Sequence, residues 1–312
     1  MKKFNVKKFI EEKIRELKPI LNGQKAISAT SGGVDSTTAT VLVHRVLRDK
    51  LKVIFIDDGL MRQDESQFVR DILKNLGIDL IILNKAKYFF KNLKGIIDPE
   101  EKRKKFRQTF YEVLGEAVKK YRAKFLIQGT IAADIIETKK GIKTQHNVLE
   151  QIGILPEKFG LKIIEPLKDL FKPQVRKVAK ELGLPPSIYA RMPFPGPGLA
   201  TRIIGEVTPQ KVEIIRKATK IVEEELKNIK KFQAFAVLFS DKATGLSKGK
   251  RSFGDIIAIR CVDSEDALRA KPSRINFNKL MRIQKRITTE IPSVVKVLYD
   301  ITPKPPSTIE YV

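Results

Sequence analysis

Apolar residues at Val6, Ile10, Ile14, Leu17 and Leu21 step by three or four, which predicts an amphipathic helix over 4–19 lying against the elements after it. Beyond it the pattern changes. Short apolar runs at 25–30, 52–57, 79–83 and 124–128 read as buried strands, and 37–47, 65–76 and 99–121 read as helices. Ile163 and Ile164 add a further strand, followed by a helix over 172–182 that Gly183 ends. Strand–helix alternation of this kind implies an α/β fold with a doubly wound parallel sheet. Any ligand is expected in the crevice beyond the carboxyl ends of the strands.

The stretch 184–202 breaks the pattern with Pro185, Pro186, Pro193, Pro195 and Pro197. It reads as a rigid linker, which divides the chain into domains of 1–190 and 191–312. After it the order of elements changes: a helix from Pro209 to about Lys230, strands over 234–239 and 256–262, a helix over 276–289 and a strand over 294–301. This is a small α+β domain, expected to supply a substrate contact and a dimer interface.

Composition narrows the classes. The 312 residues suffice for two domains. No uncharged apolar run reaches 18 residues, so no membrane span is expected, and the basic N-terminus lacks the apolar stretch of a signal peptide. The single cysteine, Cys261, excludes an intrachain disulfide framework and a Cys-based zinc site, and a cytoplasmic setting is expected. The net charge of +25 is spread over both halves. It suits RNA, but equally anionic nucleotides or a lysine-rich proteome, and nucleic acid is not the expected partner.

The loop Ser31-Gly32-Gly33-Val34-Asp35-Ser36 follows the first strand and opens the next helix. Two glycines let backbone N–H groups approach an anion, the hydroxyls of Ser31 and Ser36 add donors, and the helix dipole favours negative charge. Asp35 would repel a bare phosphate, so its presence suggests a bound Mg²⁺. The loop is not a Walker A sequence, which needs Gly-x-x-x-x-Gly-Lys-Ser/Thr. It resembles the signature of the PP-loop ATP pyrophosphatases, which implies ATP bound at Ser31, Gly32, Gly33, Val34, Asp35 and Ser36, with adenine against the 56–60 region.

Four further stretches extend the resemblance: Val53 to Arg62; Gln128-Gly129-Thr130 running through Asp134 to Glu137; Pro193-Phe-Pro-Gly-Pro-Gly-Leu199; and Lys304-Pro-Pro-Ser-Thr-Ile-Glu310. With Pro99-Glu-Glu-Lys-Arg-Lys104, they make nearly the whole chain similar to the ATP-pyrophosphatase subunits of GMP synthetases. The resemblance implies that ATP adenylylates O2 of the xanthine ring of XMP and that ammonia then displaces AMP, giving GMP and pyrophosphate. It implies Arg103 as a contact to the XMP phosphate, and Lys304, Ile309 and Glu310 as a tail that binds XMP. Gly129 joins the ATP site. Lys143 is the expected phosphate-stabilising lysine, in the segment Gly141 to Val148 that reads as a lid, with His146 beside it. Asp134 either joins Asp35 around the metal or caps the turn after Thr130. His44, within a helix, reads as structural.

The chain departs from the pattern in places. Gln145 stands where a histidine is usual, Lys248-Gly249-Lys250-Arg251 lacks the acid of Gly-Asp-x-Arg, and the last residue is Val312. Cys261 sits in an apolar stretch without a nucleophile's glycine-flanked turn, so the chain is not expected to hydrolyse glutamine. Ammonia is expected free or from a separate glutaminase subunit, and the chain as a homodimer through its C-terminal domain. The rival reading is a PP-loop enzyme that modifies tRNA.

Overall fold

A computed structural model describes residues 4–139, 161–247, 249–265 and 267–312. Contacts group the chain into two compact units. The first comprises Met1–Asp57, Asp64–Lys85 and Gln108–Arg191, and the second Asp58–Gln63, Ala86–Arg107 and Met192–Val312. The linear division expected at 190/191 therefore leaves out two early segments, 58–63 and 86–107, that pack with the later residues.

In the first unit, α1 (Val6–Leu21) starts where the Asn5 side chain accepts the Lys8 N–H at 3.1 Å, and it buries Ile10, Leu17 and Leu21. Strands β1 (Ala26–Ala29), β2 (Leu51–Asp57), β3 (Leu80–Asn84), β4 (Phe125–Ile127) and β5 (Lys162–Ile164) form an all-parallel sheet in the order β3-β2-β1-β4-β5. The central strands are nearly continuous apolar runs, as a sheet covered on both faces requires. Helices α2 (Val34–Leu47) and α3 (Glu65–Asn75) follow β1 and β2, and α1, α2 and a later helix over Lys172–Glu181 pack on one another. The chain winds outward from β1 through β2 to β3, then returns to β4 on the other side of β1. The switch point lies between β1 and β4, where a doubly wound sheet leaves its ligand crevice.

The second unit takes in α4 (Ala86–Leu93), which the expected elements did not include. It also holds the first turns of the long helix α5 (Pro99–Tyr121). A further unexpected element, α6 (Ala132–Lys139), belongs to the first unit, where it precedes α7, the helix over Lys172–Glu181. Helix α8 (Pro209–Glu225) begins with the Thr208 side chain accepting from Lys211 N–H and with Pro209 at its first position. It packs on a four-stranded sheet of β6 (Gln233–Ser247), β7 (Lys250–Asp263), β8 (Lys271–Pro272) and β9 (Val294–Asp300), with α9 (Phe277–Glu290) packed between α8 and β9.

Strands β6 and β7 are antiparallel, and β9 joins β7 in parallel. Both hairpin strands run much further toward their turn than the apolar runs suggested. Gly245 and Gly254 lie in the added length, where they make room for Val295, whose side chain would lie 2.6 and 2.3 Å from a Cβ at either position. Phe235, Val237, Ala258, Val262, Ala270 and Ile309 form a core of this unit.

Candidate active site

The loop 31–36 joins β1 to α2 at the switch point. Gly32 has φ +76°, and a Cβ there would stand 2.5 Å from Val69 Cγ2 and 2.9 Å from Glu65 Oε1, so only glycine fits. Behind it, the buried Glu65 carboxylate is paired bidentately with Arg191, whose Nη2 lies 2.7 Å from Oε2 and whose guanidinium sits over the Phe68 ring. Gly33 is the N-cap of α2 and offers no side chain, so among the described residues no side-chain cap occupies the first N–H groups of the helix. Gly129, after β4, comes against the same helix turn: a Cβ there would lie 2.6 Å from Ser36 N. Buried hydroxyl pairs tie β1 to α2, Ser28 to Thr40 at 2.7 Å and Thr30 to Thr37 at 3.1 Å. The hydroxyls of Ser31 and Ser36 meet each other at 3.2 Å.

Asp35 lies in the first turn of α2. One carboxylate oxygen, Oδ2, is paired with Lys172 Nζ, and the other, Oδ1, is buried without a hydrogen-bond partner among the described residues. Burial pushes its pKa above the ordinary carboxylate value. Asp134 adds to that, while Lys172 and Arg176 oppose it. A buried carboxylate oxygen with a second carboxylate in its field suits a hard cation. Among the described residues no group of three His, Cys, Asp or Glu could cage a metal alone. That combination fits Mg²⁺, which usually takes one or two protein carboxylates and completes its shell with phosphate and water. Asp134 Oδ2 also accepts the Ile131 N–H at 3.1 Å, so it caps its own turn while remaining in the field of Asp35.

Lys172 was not among the expected site residues. Its signal was present: a lysine at the first position of a helix opposes the dipole and asks for a nearby anion. Lys143 and His146, with Gln145 and the rest of 140–160, lie outside the described residues.

The second unit brings together three of the stretches that carried the resemblance. Leu199 N–H donates to the Leu60 carbonyl at 2.7 Å, and Arg216 donates to the carbonyls of Met61 and Gly59. Two guanidinium groups lie over the Phe194 ring, Arg62 at 4.2 Å and Arg202 at 4.9 Å from its centroid. Arg202 is 1% exposed, and its Nε and Nη2 each approach the carboxylate of Glu310 at 3.3 Å. Gln233 Nε2 donates to the same carboxylate at 2.6 Å.

Arg103 pairs with Glu100 on the outer side of α5. Its neighbour Lys102 is buried, donates to the Ile203 carbonyl at 2.7 Å, and has its pKa pushed down to about 8, mainly by burial. Lys304 Nζ donates to the Ala267 carbonyl at 2.8 Å, and Ile309 is a core residue. Arg251 is exposed near the start of β7, and Lys248 lies outside the described residues. Cys261 is fully buried, and burial raises its thiol pKa, the opposite of what a nucleophile needs.

Comparison with known proteins settles the class. A family model described as NAD synthase matches residues 4–199, and one described as GMP synthase C terminal domain matches 219–311. A subunit of the glutamine-hydrolyzing GMP synthase of Methanopyrus kandleri is 50% identical over 316 residues, covering 99% of each chain. The chain belongs to this family of GMP synthase subunits. The corresponding subunit of Archaeoglobus fulgidus is 51% identical, covering 98% of this chain and 99% of its own. That of Pyrococcus furiosus is 52% identical and covers 97% of each. The chain is thus an enzyme, a ligase that uses ATP, with a PP-loop α/β domain followed by an α+β domain. Among its described residues, no helix is long and apolar enough to cross a membrane.

Proposed function

We propose that this chain aminates XMP to GMP, adenylylating O2 of the xanthine ring with ATP and then letting ammonia displace AMP. The observation that carries the reading is the uncapped N-terminus of α2 beneath a glycine loop, with Asp35 and Lys172 beside it. The oxygen at C2 is amide-like and leaves poorly. Transfer of AMP onto it creates a good leaving group, and pyrophosphate departs with added negative charge. The free N–H groups of α2 and the hydroxyls of Ser31 and Ser36 bind that charge, and Lys172 supplies a cation beside it. Mg²⁺ held by Asp35, with Asp134 in its field, would neutralise phosphate charge when bound. Lys143 and His146 are the residues we assign to the lid.

In the second unit, Lys304 and Arg103 are proposed to meet the XMP phosphate, and Ile309 and Glu310 to set the purine edge. Glu310 already accepts from Arg202 and Gln233, so its ring-facing capacity is the remaining lone pairs. Ammonia is proposed to come from a separate glutaminase subunit, since the chain's only cysteine is buried with a raised pKa. A homodimer through the second unit is proposed from Leu246, Phe253, Phe277 and Ile301, each at least 71% exposed there. A cytoplasmic setting completes the proposal.

The test is an assay of the purified chain with Mg·ATP in ammonium buffer, with XMP, with tRNA, or with neither. GMP and pyrophosphate are expected only with XMP, and glutamine in place of ammonium should release no glutamate. Pyrophosphate release driven by tRNA and indifferent to XMP would move the assignment to RNA modification.

A further inference from the structure

We infer that Arg260 is a positioning residue for XMP binding, a buried clamp that shapes the C-terminal tail. The inference rests on the proposed reading of that tail as the XMP contact.

Arg260 stands in the middle of β7, in the apolar run Ile256-Ile-Ala-Ile-Arg-Cys-Val262, and is 0% exposed. A guanidinium is costly to bury unless it is paired and hydrogen-bonded. Among the described residues, its side-chain hydrogen-bond and ion-pair partners lie between Asp300 and Thr308. Its Nη1 lies 2.9 Å from Asp300 Oδ2, directly opposite in the parallel ladder with β9, and also donates to the Thr302 carbonyl. Its Nη2 donates to the Thr308 carbonyl at 2.9 Å.

Two carbonyls six residues apart are therefore drawn to one side chain, which closes the chain from Thr302 to Thr308 into a loop. Lys304 lies within that loop, and Glu310 follows just beyond it. Asp300 is itself braced: Tyr311 Oη donates to its Oδ2 at 2.6 Å and Thr302 N–H to its Oδ1 at 2.8 Å. Burial works against its ionised form. The hydrogen bonds from Tyr311 and Thr302 and the charge of Arg260 outweigh it and hold the carboxyl below its ordinary value. The far side of the loop is pinned where Lys304 and Ala270 exchange backbone hydrogen bonds of 2.8 and 3.1 Å. A proline-rich terminus that composition alone would leave frayed is thus held in one shape, and ordering it in advance lowers the entropy cost of binding.

Lysine at 260 would keep the charge but cannot reach both carbonyls and the carboxylate at once, because it lacks the planar fork. The experiment uses the full-length chain as wild type, Arg260→Lys and Tyr311→Phe. It measures amide exchange of peptides covering 301–312, and half-saturation for XMP and for ATP in the ammonia-dependent reaction.

Arg260→Lys is expected to speed exchange of the tail about tenfold and to raise half-saturation for XMP about tenfold, leaving ATP half-saturation and kcat within about twofold, as lost preorganisation predicts. Tyr311→Phe, which removes a single hydrogen bond, should move both readouts the same way by less, and it keeps the test alive if the lysine variant does not fold. A loosened tail with unchanged XMP half-saturation would overturn the inference, as would XMP and ATP half-saturation rising together with falling thermal stability. Lys304→Ala and Glu310→Gln separate the two readings. If they raise XMP half-saturation and Arg260→Lys does not, the clamp alone is wrong; if they leave it unchanged, the tail assignment falls and the clamp with it.

Discussion

Replacing Gly32 by alanine is expected to lower ATP turnover by about 10²–10³-fold, the cost of misplacing a preorganised anion donor, whereas Gly33→Ala should leave the fold intact. The two neighbours differ in a way the motif does not show. At Gly32 the backbone is left-handed, and a methyl group would overlap Val69 and press on the Glu65 carboxylate that Arg191 holds. Neither can yield cheaply, because both are buried. At Gly33, φ is −72° and a Cβ would come closest to the Ser31 hydroxyl, at 3.3 Å. Any loss there reflects the approach of ATP phosphate to the backbone, so it should appear as weaker ATP binding with an unchanged melting temperature. The check is XMP-dependent pyrophosphate release at several ATP concentrations, with melting curves for both variants. Equal losses in both would mean that backbone strain at Gly32 is not what shapes the loop.

Glu310→Ala is expected to destabilise the second unit by about 3–5 kcal/mol, because it strands a buried guanidinium without its carboxylate. Arg202 is 1% exposed and lies against Phe194 and Phe235, which offer its guanidinium no charge in place of the lost carboxylate. Glu310→Gln keeps one acceptor for Arg202 and Gln233 and should cost less. Urea unfolding followed by a probe in the second unit measures both. A change under about 1 kcal/mol for Glu310→Ala would show that Arg202 and Glu310 are not coupled as their geometry indicates.

The first unit was legible because its signals are local. Apolar runs set β1 to β5, and the glycine loop after β1 pointed to the carboxyl edge of the sheet, while the strand order that makes it the switch point came with the fold. Elements α4 and α6 escaped because each is only eight residues long, two turns, too short for a helical period to stand out from the sequence around it. The β6–β7 arm was read only over 234–239 and 256–262, because beyond them the residues are largely polar, and Gly245 and Gly254 there are explained only by Val295, far along the chain in β9.

The site divides in the same way. Ser31 to Ser36 are contiguous and could be read directly, whereas Lys172 meets Asp35 from 137 positions away. Arg191, Arg202 and Arg260 looked like three among many cations in a chain of net charge +25. What sets them apart is pairing with the carboxylates of Glu65, Glu310 and Asp300, a property of the fold and not of their immediate neighbours.

The central claim is that ATP activates O2 of XMP and that this oxygen leaves with AMP. The most direct measurement is to run the ammonia-dependent reaction with XMP carrying ¹⁸O at C2 and to weigh the products. The label is expected in the phosphate of AMP, with pyrophosphate unlabelled. Label in pyrophosphate, or loss of label to water with unlabelled AMP, would contradict it.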